Sequence, residues 1–314
     1  MRPVSKRPIA YSIIVPVKDE FDSLSILHQE LTHVLARLKK PYEILFINDG
    51  STDASEMKLR QLRKKDAHVR VISFRTNYGK SAALWVGFSL ARGEIIITLD
   101  ADLQDDPKDI PALLSMLGKK YDLVCGWRQK RTDTFVKRLS SILFNNGTAF
   151  FTGIKLHDVN CGLKAFRAEV IRDLYVHGEL HRFIPILVAK RKYHVAETPV
   201  HNRARRFGTS KYGLGRSWRG MLDLLTTIFL TDYASKPAHF FGKIGLLFFL
   251  AGFLMDAYVS FLRLTTGSTQ GRLPLLLAGI LFIMLGVQLL STGLIAEMII
   301  YHGPKQYPPY TIIE

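Results

Sequence analysis

The chain has 314 residues, 47% hydrophobic and 22% charged, which excludes a disordered chain and leaves room for one large domain plus an appendage. Nearly all of its formal charge of +16 lies in residues 1–241, because beyond them only Lys243, Arg263, Arg272 and Lys305 stand against Asp256, Glu297 and Glu314. So basic a front part suits a polyanionic partner, whether nucleic acid, anionic lipid headgroups or a phosphorylated substrate, while Cys125 and Cys161, without CxxC spacing or paired His, exclude a zinc site and a disulfide framework.

In chain order, the apolar run Ile9–Val17 follows Arg2, Lys6 and Arg7 and so imitates a signal peptide. Pro16, the charged Lys18-Asp19-Glu20 and the missing small-residue cleavage site make it a first buried strand instead. Ile- and Val-rich runs recur at Tyr11–Val17, Tyr42–Ile47, Val69–Phe74, Ile95–Leu99 and Tyr121–Cys125. Helical periodicity fills the gaps near Ser23–Leu38, Ser51–Lys64 and Lys80–Ala91, and a fourth helix opens near Pro107. This alternation predicts an α/β domain with a mostly parallel sheet.

Ligands of such sheets bind beyond the carboxyl ends of the strands, and polar clusters stand there. They are Pro16-Val17-Lys18-Asp19-Glu20, Asn48-Asp49-Gly50-Ser51-Thr52-Asp53 and Asp100-Ala101-Asp102-Leu103-Gln104. Carboxylates on alternate residues at a strand end suit one hard divalent cation, and Gln104 adds a neutral oxygen. The competing reading is an acidic loop opening a helix, since Asp105, Asp106 and Pro107 are helix-start residues. Gly79-Lys80-Ser81 lacks the P-loop's earlier glycine, having Phe74 there, no GxGxxG follows a strand, and Asp105 occupies the glycine position of an EF-hand starting at Asp100.

Basic residues cluster at Arg128, Lys130, Arg131, Lys137 and Arg138, then at Arg203, Arg205, Arg206, Lys211, Arg216 and Arg219. They suit either phosphate oxygens or an anionic lipid surface. From Arg216 to Tyr233, Trp218, Leu222, Leu225 and Phe229 alternate with Arg219, Asp223 and Asp232, as in a helix lying in a membrane interface, although a core helix shows the same pattern. Ile244–Leu262 and Leu273–Ile300 each hold a single acid, Asp256 and Glu297, and are long enough to span a bilayer. The uncharged loop Thr265–Gly271 between them, set against the basic domain, puts domain and tail on the cytoplasmic side. The two acids are expected to face the partner helix or a headgroup region.

Together with Asn77-Tyr78-Gly79-Lys80 and Gly208-Thr209-Ser210-Lys211-Tyr212, the three polar clusters resemble family 2 glycosyltransferases of the GT-A fold. More narrowly they resemble the polyprenyl-phosphate glycosyltransferases, the group of dolichol-phosphate mannose synthases and bactoprenol-phosphate glucosyltransferases. The resemblance covers nearly the whole chain. It implies a GT-A catalytic domain over residues 1–212, interfacial helices over 213–240, a transmembrane hairpin over 241–303 and a cytoplasmic tail over 304–314. It implies that Pro16, Val17, Asp19, Glu20 and Asp49 line a nucleoside pocket, with Lys80 and Asp100 near the ribose or phosphates. Asp100, Asp102 and Gln104 would hold Mg²⁺ or Mn²⁺, and Asp102 would be catalytic. Arg128, Arg131, Arg205, Ser210 and Lys211 would meet the acceptor phosphate, with Arg203 as a substitute for Arg205.

Asp158, in His157-Asp158-Val159-Asn160-Cys161-Gly162, matches a base or acceptor-positioning acid of related transferases and equally suits a turn residue orienting Gly162. Asp19, Trp127 and Thr209 depart from the usual Asn, small residue and Glu, which bears on donor preference. The implied activity is inverting transfer of a hexose-type sugar from a nucleotide sugar to polyprenyl phosphate, undecaprenyl or dolichyl, at the cytoplasmic face of a cell inner membrane or endoplasmic reticulum. UDP-glucose is placed ahead of GDP-mannose as donor, anionic lipids are expected partners, and association into a homo-oligomer stays open. A processive polysaccharide synthase would carry Gln-x-x-Arg-Trp, which is absent; an inactive membrane adaptor is disfavoured by the intact acidic set, and a nucleic-acid partner by the spans and the lack of an RNA motif.

Overall fold

The computed structural model describes residues 9–118, 120–129, 154, 156–172, 174, 180–204, 236–268 and 271–302. The chain divides into two compact units, Met1–Leu224 and Leu225–Glu314. In the first, the apolar runs are strands: β1 Tyr11–Val17, β2 Tyr42–Asn48, β3 Val69–Ser73, β4 Ile95–Thr98 and β5 Leu123–Arg128. Two more, β6 Lys164–Arg167 and β7 Val195–Val200, carry no comparable apolar signature. The sheet order is β3-β2-β1-β4-β6-β5-β7, and among the described strands β6 alone runs against its neighbours. The expected mostly parallel α/β sheet is therefore present.

β1 and β2 are buried on both faces, which is why they read as unbroken apolar runs instead of alternating ones. Helix α1 (Phe21–Arg37) presses Leu24, Leu27, Leu31 and Leu35 onto Ile13, Ile44 and Phe46, all fully buried. That spacing is one helical stripe. Helix α2 (Ser55–Lys65) starts four residues later than Ser51, where it was expected. Ser51 to Asp53 is instead bonded into the loop after β1, with Asp53 accepting from the amides of Phe21 and Ser55. Helix α3 (Lys80–Leu90) lies so close to β1 that a Cβ on Gly87 would stand 2.5 Å from Ile14 Cγ2. A 3-10 turn at Pro107–Asp109 leads into α4 (Ile110–Met116); α5 (Ala168–Arg172) and α6 (Ile184–Lys190) follow β6. Strand β5 starts at Leu123, two residues late, because the Gly118 amide bonds Tyr121 O and closes a turn.

The second unit is a hairpin of α7 (Pro237–Thr266) and α8 (Leu273–His302), 30 residues each and so about 45 Å long at 1.5 Å per residue. Both are long and apolar enough to cross a bilayer, and few of their residues are buried. Leu247, Leu254 and Ile299 are each two-thirds exposed, as the lipid-facing side of a membrane span would be. The helices meet at glycine: a Cβ on Gly252 would stand 2.5 Å from Gly279 O, and one on Gly245 2.8 Å from Gly286 O. Both acids turn toward the partner helix. Asp256 packs on Gly279, and Glu297 accepts the Ala238 amide at 3.2 Å. The interfacial helix expected from Arg216 to Tyr233 lies outside the described residues.

Candidate functional site

Because β2, β1 and β4 are parallel neighbours, their carboxyl-terminal loops lie side by side. The first two are bonded together. Asp19 N donates to Ser51 Oγ (3.0 Å), Glu20 N to Ser55 Oγ (2.9 Å), Thr52 N to Asp19 Oδ1 (2.7 Å) and Lys18 Nζ to Gly50 O (2.6 Å). Asp19 takes φ +54°, a left-handed turn that Asp tolerates better than most residues, which places its carboxylate over Thr52. Gly50, at φ +60°, lies against the Thr76 backbone with no room for a Cβ. Pro16 and Val17 end β1 in register with Ile47 and Asn48.

Asp49 is buried and accepts the amides of Tyr78 (2.7 Å) and Gly79 (3.0 Å), so it fixes the Asn77–Lys80 turn at the head of α3. That turn delivers Lys80, whose ammonium lies 2.6 and 2.8 Å from the two oxygens of Asp100. Burial acts to raise the Asp100 carboxyl, but Lys80, with Lys164 behind it, holds it below its ordinary range. Asp102 accepts the Gln104 amide at 3.1 Å across Leu103, which sits at φ +62°. Buried Asp105 is pushed up to about 7, first by burial and then by the charge of Asp100, with Asp102 adding and Arg128 opposing.

The His157–Gly162 loop closes on this centre. A Cβ on Gly162 would stand 2.7 Å from both Asp100 Cγ and Asp105 Oδ2, so any side chain there has to displace one of the two carboxylates. Thr98 Oγ1 donates to Gly162 O at 2.8 Å, and the buried Lys164 ammonium donates to Cys161 O. Asp158 is buried and takes Arg128 in a fork, Nε to Oδ2 at 2.7 Å and Nη2 to Oδ1 at 3.1 Å. Those two bonds fix the Arg128 guanidinium against the Asp158 carboxylate. Burial would lower Arg128, and the Asp158 bond outweighs it and raises it. Glu197 on β7 accepts the amides of His157 (2.8 Å) and Asp158 (2.9 Å), and the Trp127 and His157 rings stack 4.1 Å apart.

The structure thus gathers Asp19, Glu20, Asp49, Lys80, Asp100, Asp102, Gln104, Arg128 and Asp158 at one end of the sheet. Arg203 stands beside the acidic loop. Its guanidinium is engaged by Glu30 (2.8 Å) and Asp106 (2.6 Å), while its amide donates to Gln104 O (2.8 Å), so it braces the acidic loop. Arg131, Arg205, Ser210 and Lys211 lie outside the described residues. Lys164, Glu197 and the Ser81–His181 contact carry no role in the sequence reading, and Asp105 only that of a helix start; Asp105 meets Cys161, Glu197 meets Asp158 and Ser81 meets His181 across 56, 39 and 100 residues, beyond any spacing rule.

Asp100, Asp102 and Gln104 offer only oxygen donors, which suits a hard divalent cation, and the charges of Asp100 and Asp102, which add to burial in raising Asp105, favour one. Among the described residues no three of His, Cys, Asp and Glu form a closed cage.

Residues 12–175 match the family described as Glycosyl transferase family 2. The chain is 36% identical, over 96% of its length and 91% of the other's, to the dodecaprenyl-phosphate galacturonate synthase of Rhizobium johnstonii. It is 34% identical, over 96% and 92%, to the undecaprenyl-phosphate 4-deoxy-4-formamido-L-arabinose transferase of Salmonella choleraesuis. Among solved structures, glucosyl-3-phosphoglycerate synthase from Mycobacterium tuberculosis, in complex with Mn²⁺, uridine diphosphate and phosphoglyceric acid, matches in fold with a TM-score of 0.56 at 19% identity, covering 73% of this chain and 81% of that one. With the family match spanning the strands and loops that assemble the acidic centre, and full-length relatives above 30% identity, the chain belongs to glycosyl transferase family 2.

Proposed function

We propose that the protein transfers a sugar from a nucleotide diphosphate to a polyprenyl phosphate at the cytoplasmic membrane face. The observation that carries this reading is the Lys80–Asp100–Asp102 centre at the carboxyl edge of the sheet, in a chain that matches polyprenyl-phosphate sugar transferases nearly end to end and also has a bilayer-length hairpin. The hairpin keeps the chain on the bilayer that carries its acceptor. The loops after β1 and β2 receive the nucleoside, Lys80 the diphosphate, and Asp100, Asp102 and Gln104 hold Mg²⁺ or Mn²⁺. Bound there, such an ion supplies neutralisation of charge on the leaving diphosphate.

A lipid monophosphate has a second pKa of about 6 and is largely dianionic at neutral pH, so it needs no strong base. Its oxygen attacks the anomeric carbon; the bond from that carbon to the diphosphate oxygen breaks, and the nucleoside diphosphate leaves with the electron pair, inverting the centre. Arg128, held in place by Asp158, is the described member of the acceptor-phosphate set to which this reading assigns the grip on that phosphate.

Purified protein is to be incubated with Mn²⁺, undecaprenyl phosphate and, separately, UDP-glucose, UDP-galacturonate and GDP-mannose, with mass spectrometry of the lipid. A glycosylated lipid phosphate is expected from one donor, with UDP-glucose tried first, and Asp102→Ala or chelation is expected to abolish it. Turnover that persists in either case would falsify the metal assignment.

A further inference from the structure

Ser81, one residue beyond Lys80, is bonded to a histidine 100 residues away. His181 sits in a 3-10 turn, Leu180–Phe183, whose position is set by Phe183 and Ile184, both buried in the core. Ser81 Oγ accepts the His181 amide at 3.2 Å and lies 2.8 Å from His181 Nδ1. The hydroxyl thus meets both the amide and the ring of His181, and with a neutral imidazole protonated on Nε2 it donates to Nδ1. Burial first, then the charges of Lys80 and Arg182, keep His181 well below its ordinary value and so neutral.

The first turn of α3 is therefore gripped on both sides of Lys80. Asp49 holds the amides of Tyr78 and Gly79 before it, and His181 holds the hydroxyl of Ser81 after it. Ser81 is buried, so an aliphatic residue at 181 would leave its hydroxyl without an acceptor, and a permanent cation there would compete with Lys80 for Asp100.

We propose that His181 is a positioning residue that, through Ser81, locks the head of α3 and holds Lys80 against Asp100. This deepens the donor-site reading above and rests on it for its kinetic consequence, though not for the geometry.

The test uses the full-length protein in detergent as wild type, Ser81→Ala, His181→Ala and His181→Asn, with folding checked by circular dichroism. Its first arm needs no donor: the rate at which acetic anhydride acetylates Lys80, read by peptide mass spectrometry. That rate is expected to rise severalfold in both alanine variants and to return toward wild type in His181→Asn, whose carboxamide oxygen replaces the Nδ1 acceptor. The second arm is kinetic, with the nucleotide sugar that wild type turns over fastest. The donor KM is expected to rise about tenfold in His181→Ala while the lipid-phosphate KM stays put. Unchanged Lys80 labelling in a folded His181→Ala protein overturns the proposal, as does an asparagine variant no better than alanine, or a parallel rise in both KM values. If wild type used no nucleotide sugar at all, the functional reading would fall while the labelling arm still decided the clamp.

Discussion

Gly162 carries two carboxylates over its bare α-carbon, those of Asp100 and Asp105. A methyl group there has to push one of them aside. Since a displacement of about 1 Å at a reacting centre costs on the order of 10²-fold in rate, Gly162→Ala is expected to lower kcat/KM by about that factor while the protein still folds. An assay of the purified variant beside wild type decides it, and wild-type turnover would mean that Asp100 needs no such placement.

A second residue acts on stability alone. Asp66, at the end of α2, binds His28 Nε2 of α1 at 2.8 Å, and His68 through Nδ1 (2.8 Å) and its amide (2.9 Å). Burial would raise its carboxyl, but the His68 amide and then the two imidazoles hold it below its ordinary 3.8. A depressed acid stabilises above its unfolded value and loses that contribution as pH falls through the folded one. Asp66→Asn is therefore expected to cost about 1 kcal/mol at pH 7 and progressively less below pH 4. Melting curves of both proteins across pH 3–7 check this; a gap that widens on acidification would contradict it.

Among the elements, the ones with strong periodicity were legible and the weakly patterned ones were not. β1 was read to the residue because a strand buried on both faces must be apolar throughout. β6, with Lys164 and Arg167 in four residues, and β7, with Glu197 and Pro199, are strands because neighbours bond them, and nothing local announces it. Both spans were legible in the same way as β1. Their contact was not, since it depends on which glycines come face to face. At Gly252 the partner backbone is too close for any side chain, so Gly252→Leu is expected to force α7 and α8 apart and lower stability by about 2 kcal/mol. Thermal unfolding in micelles measures it, with Leu247→Ala, on the exposed surface, as the comparison expected to change little.

For the molecule as a whole, a basic domain and an uncharged hairpin turn predict that the Thr265–Gly271 loop lies on the far side of the membrane from the catalytic unit. Ser268→Cys in intact cells should react with a membrane-impermeant maleimide, and Ser89→Cys only after permeabilisation; the two native cysteines are buried and give little background. Labelling of Ser89→Cys in intact cells would reverse the orientation.

The amino-acid order alone was enough for the parallel core, the acidic loops at its carboxyl edge, the two spans and the family resemblance, because hydrophobic period, run length and short motifs are local properties of the chain. Tertiary structure decided which partner each polar group meets. Asp49 serves the α3 turn, Asp158 is bound up with Arg128, Arg203 braces Gln104, and His181 reaches Ser81, all through partners that no spacing rule connects. A buried charge or hydroxyl must find a partner, but which one it finds depends on how the strands are ordered in space.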